Sequence, residues 1–124
     1  MKIVVLKFGG TSVGSLNRIK NVSNIIISHL KKNFKVIVVS SAMSGETNKL
    51  IRLSKKISDK FNETELDVLL SSGEQVACSL LAGHLNKLGY KSRSFMGWQV
   101  PIITDKNYGN SKILKIYKKN IQEF

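Results

Sequence analysis

The sequence predicts an α/β protein built on a parallel sheet, and three observations carry that expectation. Residues 2–8 and 35–40 are two apolar, β-branched runs that read as buried strands. Between them, Leu16, Ile19, Val22, Ile26 and Leu30 recur at helical spacing. Each strand also runs into a polar loop that carries glycine, residues 9–12 and 41–47, and each loop leads to a helix. Strand-loop-helix units of this kind build parallel sheets covered by helices, with ligands bound at the carboxyl ends of the strands. Both polar loops should therefore open on one edge.

The later elements follow from the same rules. Residues 47–57 predict a helix with Leu50, Leu53 and Ile57 on one face, residues 59–62 a break, and residues 63–70 a short acidic helix around Leu66, Leu69 and Leu70. Ser71-Ser72-Gly73-Glu74 reads as the start of a further helix carrying Val76, Ala77, Leu80, Leu81 and Leu88, with Gly89 as its stop signal. Residues 91–96 are a strand candidate of weak alternation, interrupted by Gly97-Trp98-Gln99 and Val100-Pro101. A short strand at 102–104, a turn at 106–110, an extended segment at 112–117 and the opening of a helix at 118–124 complete the chain.

Composition bounds the function. A chain of 124 residues with 42% apolar residues is the size of one modest globular domain with a real core. No apolar stretch approaches the roughly 20 residues that span a bilayer, and the amino-terminal residues lack the apolar core of a signal peptide. These features predict a cytoplasmic protein with no membrane partner. The net charge of +12 is spread as single lysines or pairs such as Lys31-Lys32 and Lys55-Lys56. Without a long basic block or interleaved aromatics, it reads as a solvated surface and not as a nucleic-acid interface. Cys78 has no partner for an internal disulfide and is expected as a buried free thiol in a helix. His29 and His84 have no neighbours at metal-ligand spacing, and Trp98 has no aromatic company, so all three are expected to pack or lie on the surface.

Three constellations carry chemistry. Lys7-Phe8-Gly9-Gly10-Thr11-Ser12 places a cation, two bare backbone amides and two hydroxyls where a strand gives way to a helix. It is neither a P-loop, whose lysine follows its glycines, nor a G-x-G-x-x-G turn. The physics still suits phosphate: Gly9 and Gly10 admit close approach to the backbone, their amides and the helix N-terminus favour negative charge, and Lys7 adds a full positive charge. An ordinary strand-helix turn with a surface lysine would have the same residues. The second loop, from Ser40 to Thr47, offers hydroxyls to a charged ligand, although Ser44 or Thr47 would equally serve as a helix cap. Glu74 has a rival role as well, because Ser71-x-x-Glu74 matches a capping box. Its carboxylate would otherwise suit a ligand ammonium.

Taken together, Lys7 to Val13, Val39 to Asn48 and Ser71-Ser72-Gly73-Glu74, in this order and at these separations, resemble the amino-terminal part of an aspartokinase. Ser94-Phe95-Met96-Gly97-Trp98-Gln99 and Tyr108-Gly109-Asn110-Ser111-Lys112-Ile113 extend the resemblance over essentially the whole chain. It implies the amino-acid-kinase fold, a three-layer αβα sandwich with a mainly parallel sheet, of which residues 1–124 would be the amino-terminal lobe only. It also implies transfer of the ATP γ-phosphoryl group to the side-chain carboxylate of L-aspartate, giving 4-phospho-L-aspartate, the first step of lysine, threonine and methionine biosynthesis. By the same resemblance Lys7, Phe8, Gly9 and Gly10 hold the ATP phosphates, with Lys7 catalytic, Ser41 belongs to the nucleotide site, and Thr47 and Glu74 contact the amino-acid substrate. ATP is the implied co-substrate and Mg2+ the implied ion, with no metal ligand identified in this chain.

The family's Gly-Arg-Gly-Gly-Ser-Asp type loop, carboxyl-terminal lobe and regulatory ACT domains have no counterpart among these residues. The chain alone is therefore expected to be inactive, with a homo-oligomer or association with a carboxyl-terminal half as the implied assemblies. A non-catalytic remnant or binding module is the alternative reading. Acetylglutamate, glutamate 5- and uridylate kinases share the fold, and the two polar loops favour aspartokinase over them.

Overall fold

In the computed structural model, which describes residues 2–124, strand β1 (Lys2–Phe8) pairs in parallel with strand β2 (Phe34–Ser40). The register runs from Lys2 opposite Phe34 to Phe8 opposite Ser40, so both strands end level with one another. Helix α1 (Leu16–Leu30) makes the crossover; the Ser15 side chain caps it by accepting from the Arg18 N–H, and Asn33 turns the chain into β2 at φ 64°. Helix α2 (Glu46–Ile57) follows the second loop. Helix α3 (Glu63–Lys87) starts at Asn62, whose side chain accepts from the Glu65 N–H, and the chain leaves it through Gly89 at φ 83°. The left-handed conformation explains glycine there. Strands β3 (Ile102–Thr104) and β4 (Ile113–Ile116) form a separate antiparallel pair, and α4 (Lys119–Gln122) is a single turn.

The core is a contact between helices and one sheet face. Val13, Ile19, Val22 and Ile26 meet Leu81 and Leu85 of α3, and Leu6, Phe8, Val36, Val38 and Met43 pack against that cluster. Alternation along the strands decides the rest. Ile3, Val5 and Val39 point the other way and are 62%, 61% and 50% exposed. The two runs that read as fully buried strands are thus covered on one face. The α/β class and parallel pairing hold, with the described residues supplying the sheet and one helical layer.

Three expectations change. The break before Ser71 does not exist, because α3 runs unbroken from Glu63 to Lys87. Ser71 and Ser72 instead donate their hydroxyls to the carbonyls of Val68 and Leu69, three residues back, at 2.8 and 2.7 Å. Serine bonded backwards in this way sits inside a helix without starting one, so the capping box does not form. The segment 91–96 forms no strand: Ser92 exchanges two hydrogen bonds with the Asn86 side chain, and the Met96 N–H donates to Gln99 Oε1. Side chains have taken the groups a ladder would need. Finally, Cys78 is half-buried and not fully enclosed. No helix among the described residues is long and apolar enough to cross a membrane.

Candidate functional site

The corner after β1 is a turn with spare donors. Ser12 and Val13 N–H groups donate to the Gly9 carbonyl at 3.0 and 3.4 Å, and the Gly14 N–H donates to Thr11 at 3.4 Å. The amides of Gly9, Gly10 and Thr11 have no acceptor among the described residues. Val13, completely buried, anchors the turn from below, and the Arg18 guanidinium donates to the Thr11 carbonyl at 3.0 Å from above. The sequence suggests a helix N-terminus at this corner, but α1 begins only at Leu16 and its cap is taken by Ser15. Successive free loop amides replace it as the source of positive potential.

Lys7 lies at the end of β1 on the exposed sheet face, opposite Val39 in the parallel register. The ion pairs among the described residues, Lys49–Glu46 and Lys119–Glu123, leave it out. Phe8 turns its ring into the core, so its contribution to the corner is its backbone. That backbone ties the two loops together, since the Ser41 N–H donates to the Phe8 carbonyl at 3.0 Å. Ser41 is half-buried; Thr47 is exposed in the first turn of α2. Neither hydroxyl, nor that of Ser44, is bonded among the described residues. The cap of α2 is Gly45 at φ 83°, with no side-chain bond. The capping role open to Ser44 and Thr47 is therefore not used.

Glu74 lies half-buried inside α3, with no ion pair and no capping partner among the described residues. Its clearest electrostatic neighbour is Cys78, one turn on. Burial pushes the Cys78 thiol up from its ordinary value, and the Glu74 carboxylate pushes it further in the same direction.

Three glycines bring these segments together. A Cβ placed on Gly10 would lie 3.1 Å from the Ala42 carbonyl oxygen, and one on Gly14 would lie 3.1 Å from Ser44 Cβ. On the other side of the loop, a Cβ on Gly73 would lie 2.9 Å from Ala42 Cβ. The corner, the second loop and the α3 turn bearing Glu74 are thus packed at backbone distance. Of the residues singled out by sequence, Lys7, Phe8, Gly9, Gly10 and Ser41 meet at the ends of the two strands. Thr47 and Glu74 join through the elements that touch this loop. Sequence reasoning missed Gly14, Ala42 and Gly73 as contact residues; the one signal was a glycine in an otherwise apolar helical pattern.

No group of three or more His, Cys, Asp or Glu side chains suited to a metal ion occurs among the described residues. A cavity of about 470 Å³ lies elsewhere, lined by Lys91, Arg93, Phe95, Trp98 and Phe124 among others, and no corner residue lines it. Free donors and packing mark the candidate site, which is an open edge and not an enclosed pocket.

Comparison with known proteins identifies the family. The family model described as "Amino acid kinase family" matches residues 2–124. The aspartokinase of Geobacillus stearothermophilus is 48% identical over 116 residues, covering 94% of this chain and 28% of that protein. Aspartokinase 2 of Bacillus subtilis is 46% identical over 116 residues, with the same coverage of 94% and 28%. Among solved structures, the aspartate kinase from Synechocystis superposes with a TM-score of 0.77 at 40% identity, over 79% of this chain and 17% of that one. Aspartokinase III of Escherichia coli, in complex with aspartate and ADP, gives a TM-score of 0.78 at 19% identity, over 91% and 35% of the two chains, and speaks for the fold alone. The chain spans about 30% of the length of the curated relatives it matches.

Proposed function

The chain belongs to the amino acid kinase family, and on that premise we propose that it contributes to an aspartate kinase that moves the γ-phosphoryl group of ATP to the side-chain carboxylate of L-aspartate in the cytoplasm. The observation that carries this reading is the juncture of the Gly9, Gly10 and Thr11 amides and the Lys7 ammonium, all without a partner among the described residues, with the loop that packs against the α3 turn bearing Glu74. The aspartokinase relatives at 46–48% identity favour aspartate over other acceptors within the family.

Phosphoryl transfer asks the protein for positioning and for neutralisation of charge on the moving group. A carboxylate oxygen of aspartate forms the new bond to the γ-phosphorus, while the bond from that phosphorus to the bridging oxygen breaks and its electron pair leaves with ADP. Lys7 and the amides of Gly9 and Gly10 hold the phosphate oxygens and offset the charge that shifts toward the leaving group. Phe8 keeps this backbone fixed by burying its ring. The Ser41 hydroxyl faces the nucleotide, the Thr47 hydroxyl orients the acceptor carboxylate, and Glu74 pairs with the substrate ammonium. The family implies Mg2+, but the described residues hold no cluster fit to bind it.

The test is aspartate-dependent ADP formation by a chimera in which residues 2–124 replace the matched segment of the Geobacillus stearothermophilus aspartokinase. Turnover by the chimera and none by the 124-residue chain alone is the expected result. A folded but inert chimera would overturn the assignment of these residues, and turnover by the isolated chain would overturn their dependence on further residues.

A further inference from the structure

Glycine inside a helix costs about 1 kcal/mol relative to alanine, so a glycine held at the centre of a 25-residue helix calls for a contact that alanine would spoil. Gly73 has that contact. It is buried, and a Cβ there would stand 2.9 Å from the Ala42 methyl, well inside the roughly 3.5–4.0 Å at which carbon atoms rest. Ala42, itself 4% exposed, is closely approached on its other side as well, where its carbonyl oxygen would lie only 3.1 Å from a Cβ placed on Gly10. One residue further on, Ser44 closes against Gly14 in the same way.

We propose that Ala42 is a positioning residue that spaces the phosphate corner from the α3 turn bearing Glu74, with Gly10 and Gly73 as the bare surfaces that receive it. Bulk added at Gly73 is then felt at the corner, on the opposite side of the loop, and not only within α3. Ala42 reaches the ligand through its neighbours: Ser41 precedes it, and its carbonyl oxygen lies against Gly10. The part of this inference that concerns ATP rests on the function proposed above, whereas the mechanical coupling does not.

The geometry supplies its own control. With the Ala42 methyl removed, a Cβ at position 73 would meet nothing closer than Leu50 Cδ1 at 3.7 Å, followed by Glu46 Cβ at 4.0 Å. Both are ordinary contacts. Moving the methyl from loop to helix, in the double variant Ala42→Gly with Gly73→Ala, should therefore relieve what Gly73→Ala alone creates.

The measurement is an amide 1H–15N spectrum of the 124-residue chain, followed by titration with ATP. Gly73→Ala should displace the resonances of Gly9, Gly10 and Thr11 as well as those of residues 41–47, and the double variant should return them toward wild-type positions. ATP affinity should fall in the single variant and recover in the double variant. Shifts confined to α3, or a double variant no closer to wild type than the single one, would overturn the coupling. A single variant too unstable to observe beside a well-folded double variant supports it, and equal instability of both counts against it. Should the wild-type chain alone bind no ATP, the resonance shifts still decide the coupling, and the chimera decides the functional reading.

Discussion

Lys7 separates function from stability more cleanly than any other side chain here. It sits on the exposed sheet face and joins none of the ion pairs among the described residues, so its loss should change folding by no more than about 0.5 kcal/mol, as for most surface positions. As the cation of a phosphate grip, its loss should cost about 2.7–4 kcal/mol of transition-state stabilisation, the scale for one preorganised donor. Lys7→Ala in the chimera is therefore expected to leave the melting temperature nearly unchanged while kcat/KM collapses; an unchanged rate would remove Lys7 from the mechanism. Glu74 has a built-in reporter in Cys78. The thiol is pushed up first by burial and then by that carboxylate, so the folded chain holds this proton more tightly than the unfolded chain. The resulting stability is present in full below the ordinary thiol value and is lost as pH climbs through the folded one. Glu74→Gln removes the second cause and leaves the first, so alkylation of Cys78 near pH 8 should quicken by less than about tenfold, the change that a whole-unit shift would bring. No change in rate would mean that the Glu74 carboxylate does not act on the thiol.

Helix α3 shows which information a sequence holds locally and which it lacks. The strands at 2–8 and 35–40 and the helices at 16–30 and 47–57 were legible because hydrophobic period and turn chemistry agree there. The Ser-Ser-Gly-Glu stretch misleads because its residues favour a helix start by every local rule, while the reason for Gly73 lies 31 positions away at Ala42. For the same reason the corner was legible as an anion site from Lys7 and its glycines, whereas the packing that joins it to Glu74 was not. Segment 91–96 failed as a strand through bonds to Asn86 and Gln99 that no periodicity encodes. Another long-range bond makes a prediction of its own. Asp67 Oδ2, on α3, accepts the Gly109 N–H at 2.9 Å across 42 residues, holding the β3–β4 hairpin to the helix with Gly109 at φ 75°. Asp67→Ala should cost about 1 kcal/mol, less than the roughly 1.5–3 kcal/mol of a bond to a charged group because the site is exposed. Hydrogen exchange should speed up between residues 102 and 116 and stay unchanged in β1 and β2. Uniform acceleration across the chain would show that the hairpin is not an independent unit.

At the scale of the whole molecule, two properties oppose one another. The uncovered sheet face exposes Ile3, Val5 and Val39 side by side, and β1 and β2 each leave one edge unpaired. Such a surface favours association with another chain. The net charge of +12 works against this by repulsion between copies. Salt decides the balance, because the screening length falls from about 10 Å at 0.1 M to about 3 Å at 1 M, while apolar attraction survives. Sedimentation velocity of the 124-residue chain should therefore show a mass that grows with protein concentration, and more steeply at high salt than at low. Replacing Val5 and Val39 together by threonine keeps β-branched side chains in the strands and makes the face polar, so that variant should stay monomeric at salt concentrations where the wild-type chain associates. A wild-type chain that remains monomeric at every salt concentration would mean that this face, despite its exposure, is too small to hold two copies together. Association that weakens as salt rises would instead assign the contact to charge.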